Sequence, residues 1–244
     1  LGDTVWGMRM SDVFMGLLTL PFLYGALRRL WDSRVAGIGT ALMAGCAYYI
    51  HFSRIGVGYV QTTFWTVAVL YLFLRAVESG AVVWYWLTGL AIGIGFYTYQ
   101  ASRTLGFLVV LSWLVLCLMD RRLLRGDWPR FLILLAAAWF VLSPLVGHFA
   151  RYPYTLNSRA RDVTIFGEIG RHYLDDRYGS SASTETVLAE QVRRGLGAPV
   201  AFYDRSPYLN NKGYEGMLEP VTAVFLLCGI FLATATIQAP ASFI

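Results

Sequence analysis

The residues able to do chemistry in this chain are gathered in two short polar islands. The first, His51-Phe-Ser-Arg-Ile-Gly-Val-Gly-Tyr-Val-Gln61, carries an imidazole, a guanidinium, a phenol and an amide. The second, Phe96-Tyr-Thr-Tyr-Gln-Ala-Ser-Arg103, adds two phenols, an amide and another guanidinium. Each lies between long apolar runs. An ionisable group kept beside hydrocarbon is costly and marks a functional-site hypothesis. Taken singly, Arg54 and Arg103 are more simply helix-end anchors whose guanidiniums reach up to the interface. Taken together they favour an anion site, because a planar guanidinium offers paired donors that suit phosphate. Tyr97 and Tyr99 are weaker pocket members, as is Arg9 in Trp6-Gly-Met-Arg-Met10.

Other chemistries fit less well. His51, His148 and His172 show no metal-ligand spacing. Asp175 and Asp176 are adjacent, and neighbours on a helix do not share a face, so a solvated surface explains them better than an acid pair. There is no glycine-rich phosphate loop, no Gly-x-Ser-x-Gly elbow and no Walker motif. Cys46, Cys117 and Cys228 each lie inside an apolar run, which points to small buried hydrophobes rather than a disulfide framework or metal site.

The elements that must position the islands follow from composition. Of 244 residues, 57% are hydrophobic and 14% charged, and the mean hydropathy is +0.53. Soluble domains carry about 25% charged residues, so the chain is a membrane protein. The 16% aromatic share suits interfacial belts of Trp and Tyr. A formal net charge of +5 does not imply nucleic-acid binding, since the arginines sit mostly in short loops and Lys212 is the only lysine.

A transmembrane helix needs about 20 apolar residues. Seven runs qualify: roughly 12–28, 34–51, 57–76, 81–99, 104–119, 130–149 and 217–237. All must be helical, because a backbone in lipid has to satisfy its own hydrogen bonds. The run 104–119 is short for a span. The main prolines, Pro144, Pro153 and Pro220, fall near helix ends or in the loop. Gly89, Gly93 and Gly95 form a small-residue face, which predicts close contact with another helix of the same chain.

Loop charge sets the orientation. Arg28, Arg29, Arg34, Arg75, Arg121, Arg122, Arg125 and Arg130 fall on one set of connections, and Arg54 and Arg103 on the other. Positive residues favour the cytoplasm. The beginning of the chain, both polar islands and the segment 150–216 therefore face away from it. An outward-facing phosphate held at the membrane edge beside an apolar groove describes a polyprenyl-phosphate lipid. Three regions result: a transmembrane bundle over 1–149, a non-cytoplasmic loop region over 150–216, and a final helix and tail over 217–244. Within the loop, helical periodicity predicts amphipathic helices over 161–176 and 186–196, the second capped at Ser183 or Thr184. Tyr203–Gly216 reads as a loop.

The run from Arg9 to Arg34, then His51-Phe-Ser-Arg-Ile-Gly, Gln61, and a long helix ending Leu74-Arg-Ala, resembles the dolichyl-phosphate-mannose–protein mannosyltransferase-like family. Gly93-Ile-Gly-Phe-Tyr-Thr-Tyr-Gln-Ala-Ser-Arg103 is similar too, as are Asn157–Phe166, Ala201-Phe-Tyr-Asp204 and Leu218-Glu-Pro220. These are polytopic glycosyltransferases of the GT-C type, a group that includes the aminoarabinose transferases of lipid A. The resemblance implies an all-α integral membrane fold, a polytopic bundle of about seven transmembrane helices with one external loop region containing short amphipathic helices. It implies transfer of a sugar from a polyprenyl-phosphate donor to a protein, lipid or glycan acceptor on the non-cytoplasmic face of the plasma or inner membrane.

In such enzymes an Asp or Glu in the first external loop acts as base on the acceptor, and here that position is expected upstream of Leu1. Relatives also tend to carry an acid near Gln61-Thr62-Thr63. Asp3 and Asp12 are acids on the expected face, but their positions do not match the family's base. No cofactor is required by the residues; a divalent metal in the full-length enzyme is the one the resemblance leaves room for. The loop, especially Arg159, Arg161 and Tyr203–Tyr214, is expected to cover the site and help select the acceptor. The competing readings are a transporter or flippase and a non-catalytic membrane subunit, each using the same arginines only to bind a lipid-linked anionic ligand.

Overall fold

The computed structural model describes residues 4–119, 126, 128–155, 183–199, 218 and 220–237. Among them the regular elements are all helical: α1 (Val5–Leu30), α2 (Ser33–Gly45), α3 (Ala47–Arg54), α4 (Tyr59–Ser79), α5 (Val82–Thr98), a 3₁₀ turn (Gln100–Arg103), α6 (Thr104–Met119), α7 (Trp128–Arg151), α8 (Thr184–Gly197) and α9 (Pro220–Ile237). Val5–Leu30, Tyr59–Ser79, Gln100–Leu118 and Trp128–Arg151 are each long and apolar enough to cross a membrane, and Val82–Thr98 is a shorter apolar helix. The chain is an all-α, multi-pass membrane protein. The contacts divide it into two compact units, one of residues 1–45 with 49–148 and one of 46–48 with 149–244.

Several elements differ from the sequence reading. The single span expected over 34–51 is two helices, broken at Cys46 after Gly45. The short run 104–119 gains length from the preceding 3₁₀ turn, which carries the span back to Gln100. Pro144 lies inside α7 rather than at a helix end, and α1 carries Pro21 inside it as well. Neighbouring side chains and helices can satisfy the carbonyl that a membrane proline frees, so an internal proline is tolerated. Cys46 and Cys117 are buried as expected, but Cys228 is exposed on α9. A membrane helix presents apolar residues outward as well as inward, so an apolar neighbourhood in sequence does not fix burial.

In the first unit, α1 and α4 run side by side in the same direction. Asp12 meets Gly58 and Gln61 at one end. Phe22 meets Tyr71 further along, and Arg29 pairs with Glu78 at the other end. The core gathers around Trp113, which stacks on Phe131 at 4.6 Å and meets Tyr85 and Phe73 edge-on. Each aromatic there removes a large apolar surface and adds a favourable ring geometry.

Gly89 and Gly93 form the seam between α5 and α7. A Cβ on Gly89 would sit 2.2 Å from the Leu134 carbonyl oxygen, and one on Gly93 would sit 2.6 Å from Val141 Cβ. Gly95 faces Trp65 instead. The predicted small-residue face is therefore an internal helix–helix contact, as sequence spacing suggested.

In the second unit, Ser183 caps α8, its hydroxyl accepting from the Thr186 amide at 3.2 Å. Glu190 accepts from both Arg193 and Arg194. These bonds, to Arg193 first, hold its carboxyl well below the usual 4.5, at about 2. Val187 is buried, while Leu188, Val192 and Leu196 form an exposed apolar stripe. The helix expected over 161–176 and the loop Tyr203–Gly216, with Arg159, Arg161, His172, Asp175 and Asp176, lie outside the described residues.

Candidate functional site

The first island bends at two glycines with positive φ, Gly56 (75°) and Gly58 (78°), which together release the chain from α3 and aim it into α4. A side chain with a Cβ adopts that backbone conformation only at a cost. Asp12, one per cent exposed within α1, fixes the bend. Its Oδ2 accepts from the Gly58 amide at 3.0 Å, and its Oδ1 accepts from Gln61 Nε2 at 2.8 Å. A buried carboxylate is tolerated when its oxygens are bonded in this way.

The second island lies against the first. Phe52 meets Tyr59 with centroids 5.1 Å apart, and Tyr59 meets Tyr99 at 5.2 Å with the planes at 89°. Ser102 Oγ, fully buried, donates to Thr62 Oγ1 at 3.3 Å. An aromatic ladder and a hydroxyl pair thus tie the segment bearing Arg54 to the segment bearing Arg103. The first turns of α1 reach the same end of the bundle through Asp12.

The individual positions differ in character. Arg54 is the last residue of α3 and is exposed. Arg103 closes the 3₁₀ turn, partly buried, with its Nε fully enclosed. Arg9 is exposed on α1. Tyr99 contributes its ring to the ladder. Tyr97 turns away: its hydroxyl donates to the Val141 carbonyl of α7 at 2.9 Å, so it ties α5 to α7. His51 is partly buried, its ring set edge-on to Phe52 and its Nε2 enclosed without a hydrogen-bond partner among the described residues.

The residue that sequence reasoning undervalued is Asp12. Its one signal was an acid at an inward position of an otherwise apolar helical run; its partners, 46 and 49 residues away, were invisible. With one hydrogen bond to each oxygen, Asp12 shapes the bend. Among the described residues no three His, Cys, Asp or Glu side chains gather into a group able to hold a metal ion.

The arrangement presents an exposed and a half-enclosed guanidinium at the same end of an apolar bundle as the aromatic ladder. No curated protein and no solved structure matches the chain significantly. The family model described as dolichyl-phosphate-mannose-protein mannosyltransferase matches residues 1–147, which include every residue of both islands. With well over half its length so matched, the chain belongs to this family of membrane glycosyltransferases.

Proposed function

We propose that the chain forms the donor-binding part of an enzyme that moves a sugar from a polyprenyl-phosphate donor to a protein, lipid or glycan acceptor. The reaction takes place on the non-cytoplasmic face of the cell membrane. The observation that carries this reading is the Tyr59–Tyr99 contact, with the Ser102–Thr62 bond beside it, which brings two cationic segments to one end of the bundle. In the reaction the acceptor hydroxyl oxygen attacks the anomeric carbon as a base takes its proton. The bond from that carbon to the phosphate oxygen breaks, and the lipid phosphate leaves with the electron pair. Arg54 and Arg103 stabilise the charge that grows on that phosphate. Arg9 and Tyr99 line the approach, and the base is a carboxylate yet to be identified.

The test is donor turnover in the full-length protein. Arg54→Ala and Arg103→Ala should each lower it on the order of 100-fold, as loss of a donor to a developing anion does, with expression near normal. Unchanged turnover in both would return the arginines to the role of interface anchors. The transporter reading draws support from the helix broken at Cys46 and from Pro21 and Pro144 inside helices. Movement of a labelled lipid-linked donor across a bilayer without sugar transfer would select it.

A further inference from the structure

At the end of the α1–α4 pair opposite both polar islands, a cleft of about 540 Å³ is lined by Tyr24, Gly25, Arg28, Arg29, Tyr71 and Glu78. Its volume lies within the range of about 300–1,000 Å³ usual for ligand sites. Along one wall the Tyr71 ring packs directly on Gly25, where a Cβ would come within 2.6 Å of the ring. That ring lies 5.2 Å from the Arg29 guanidinium, which Glu78 pairs through Nη1. The Arg29 Nε is buried and has no hydrogen-bond partner among the described residues. Arg28, exposed beside it, makes no ion pair among the described residues. Arg28 and Arg29 thus line the cleft with a single carboxylate, Glu78, and the lining carries a surplus of positive charge.

We propose that this cleft binds a phosphate oxyanion, with Arg28 as the principal contact and Arg29, steadied by Tyr71 and Glu78, as the second. The ligand chemistry is that of a phosphate mono- or diester, to which guanidiniums give charge-assisted, geometrically matched hydrogen bonds. Leu30 and Trp31 are exposed just past the cleft. An interfacial tryptophan beside apolar surface suits the headgroup of an anionic phospholipid. The site is separate from Arg54 and Arg103 and stands or falls independently of the donor reading.

The experiment uses the full chain, purified in neutral detergent. Phosphatidylglycerol, phosphatidylcholine and inorganic phosphate are titrated separately, reading thermal stability and lipid retained in native mass spectrometry. The expected result is stabilisation and retention by phosphatidylglycerol but not phosphatidylcholine, weakened about tenfold in Arg28→Gln. Arg28 is exposed and its replacement leaves the Arg29–Glu78 pair intact, so this variant folds. Arg34→Gln, a charge change outside the cleft, should bind as the parent does. Equal stabilisation by inorganic phosphate, lost in Arg28→Gln, assigns the same site to a soluble phosphate. No preference for the anionic lipid together with no response to phosphate overturns the proposal, as does equal weakening by Arg28→Gln and Arg34→Gln. The arginines would then serve only as helix-end charges and topology signals.

Discussion

Asp12 and Gln61 are 49 residues apart in sequence and 2.8 Å apart in space, the carboxylate Oδ1 accepting from the amide Nε2. The same carboxylate holds the Gly58 amide. The bend between α3 and α4 therefore depends on a side chain from α1, and Gln61 is matched to it by type: an amide donates where a second carboxylate would repel. This accounts in physical terms for an amide, rather than an acid, following the Ser53-Arg-Ile-Gly56 run.

Asp12→Ala should leave the Gly58 amide and the Gln61 side chain without their acceptor. Orphaned buried donors cost about 1–3 kcal/mol, so the melting temperature should drop by several degrees, and donor turnover should fall through the displaced bend. Gln61→Glu should destabilise as well, by setting two carboxylates against each other. Asp12→Asn combined with Gln61→Glu should recover part of that loss. Thermal unfolding of the four proteins measures it, and a stable Gln61→Glu protein would remove the pairing as the reason for the amide.

The Tyr59–Tyr99 contact should couple the two islands energetically. Edge-to-face pairs contribute about 0.5–1.5 kcal/mol beyond burial. A double-mutant cycle with Tyr59→Leu and Tyr99→Leu should give a coupling of that size in stability. Turnover should fall in each single variant because Arg54 and Arg103 lose their common support. Strictly additive effects would show that the islands act separately.

Tyr97→Phe removes a hydroxyl that donates to the Val141 carbonyl. A cost of about 1 kcal/mol in stability is expected, with turnover close to the parent. A large loss of turnover at unchanged stability would place Tyr97 among the residues that touch the donor.

Gly89→Ala should be among the most damaging single-methyl changes in the chain, since the added Cβ meets the backbone oxygen of Leu134 at 2.2 Å. Overpacking of this kind costs about 1–3 kcal/mol. Gly37→Ala and Gly147→Ala have nothing within 4 Å of the new methyl and should be neutral or gain up to about 1 kcal/mol in helix stability. Thermal unfolding in detergent separates the two classes.

Glu190 gives α8 a dependence on pH. Its carboxyl is held down to about 2 from an ordinary 4.5, so folding favours the ionised form. The contribution is present in full above the unfolded value of about 4.5 and is lost as pH falls toward about 2. Protection of the α8 amides from hydrogen exchange should therefore weaken over that interval in the parent. In Glu190→Gln it should change little, and an identical pH response in both proteins would show that the pairs with Arg193 and Arg194 do not steady this helix.

Sequence by itself determined the all-α membrane class, the four long apolar helices, a helix cap at Ser183 or Thr184 and the internal glycine seam. Each of these is local or periodic: an apolar run of sufficient length must be helical in lipid, and small residues at helical spacing mark a close contact. It also singled out Arg54 and Arg103, because a cation beside hydrocarbon is conspicuous wherever the chain goes. Only the tertiary structure decided that Asp12 fastens the bend at Gly58, that Tyr97 serves α7 while Tyr99 meets Tyr59, and that Arg28 and Arg29 border a cleft beside Tyr71 and Glu78. These are pairings between residues tens of positions apart, set by which faces of α1, α4 and α5 meet. The membrane blurs that information in the sequence, since lipid-facing and core-facing positions are both apolar, as Cys228 illustrates.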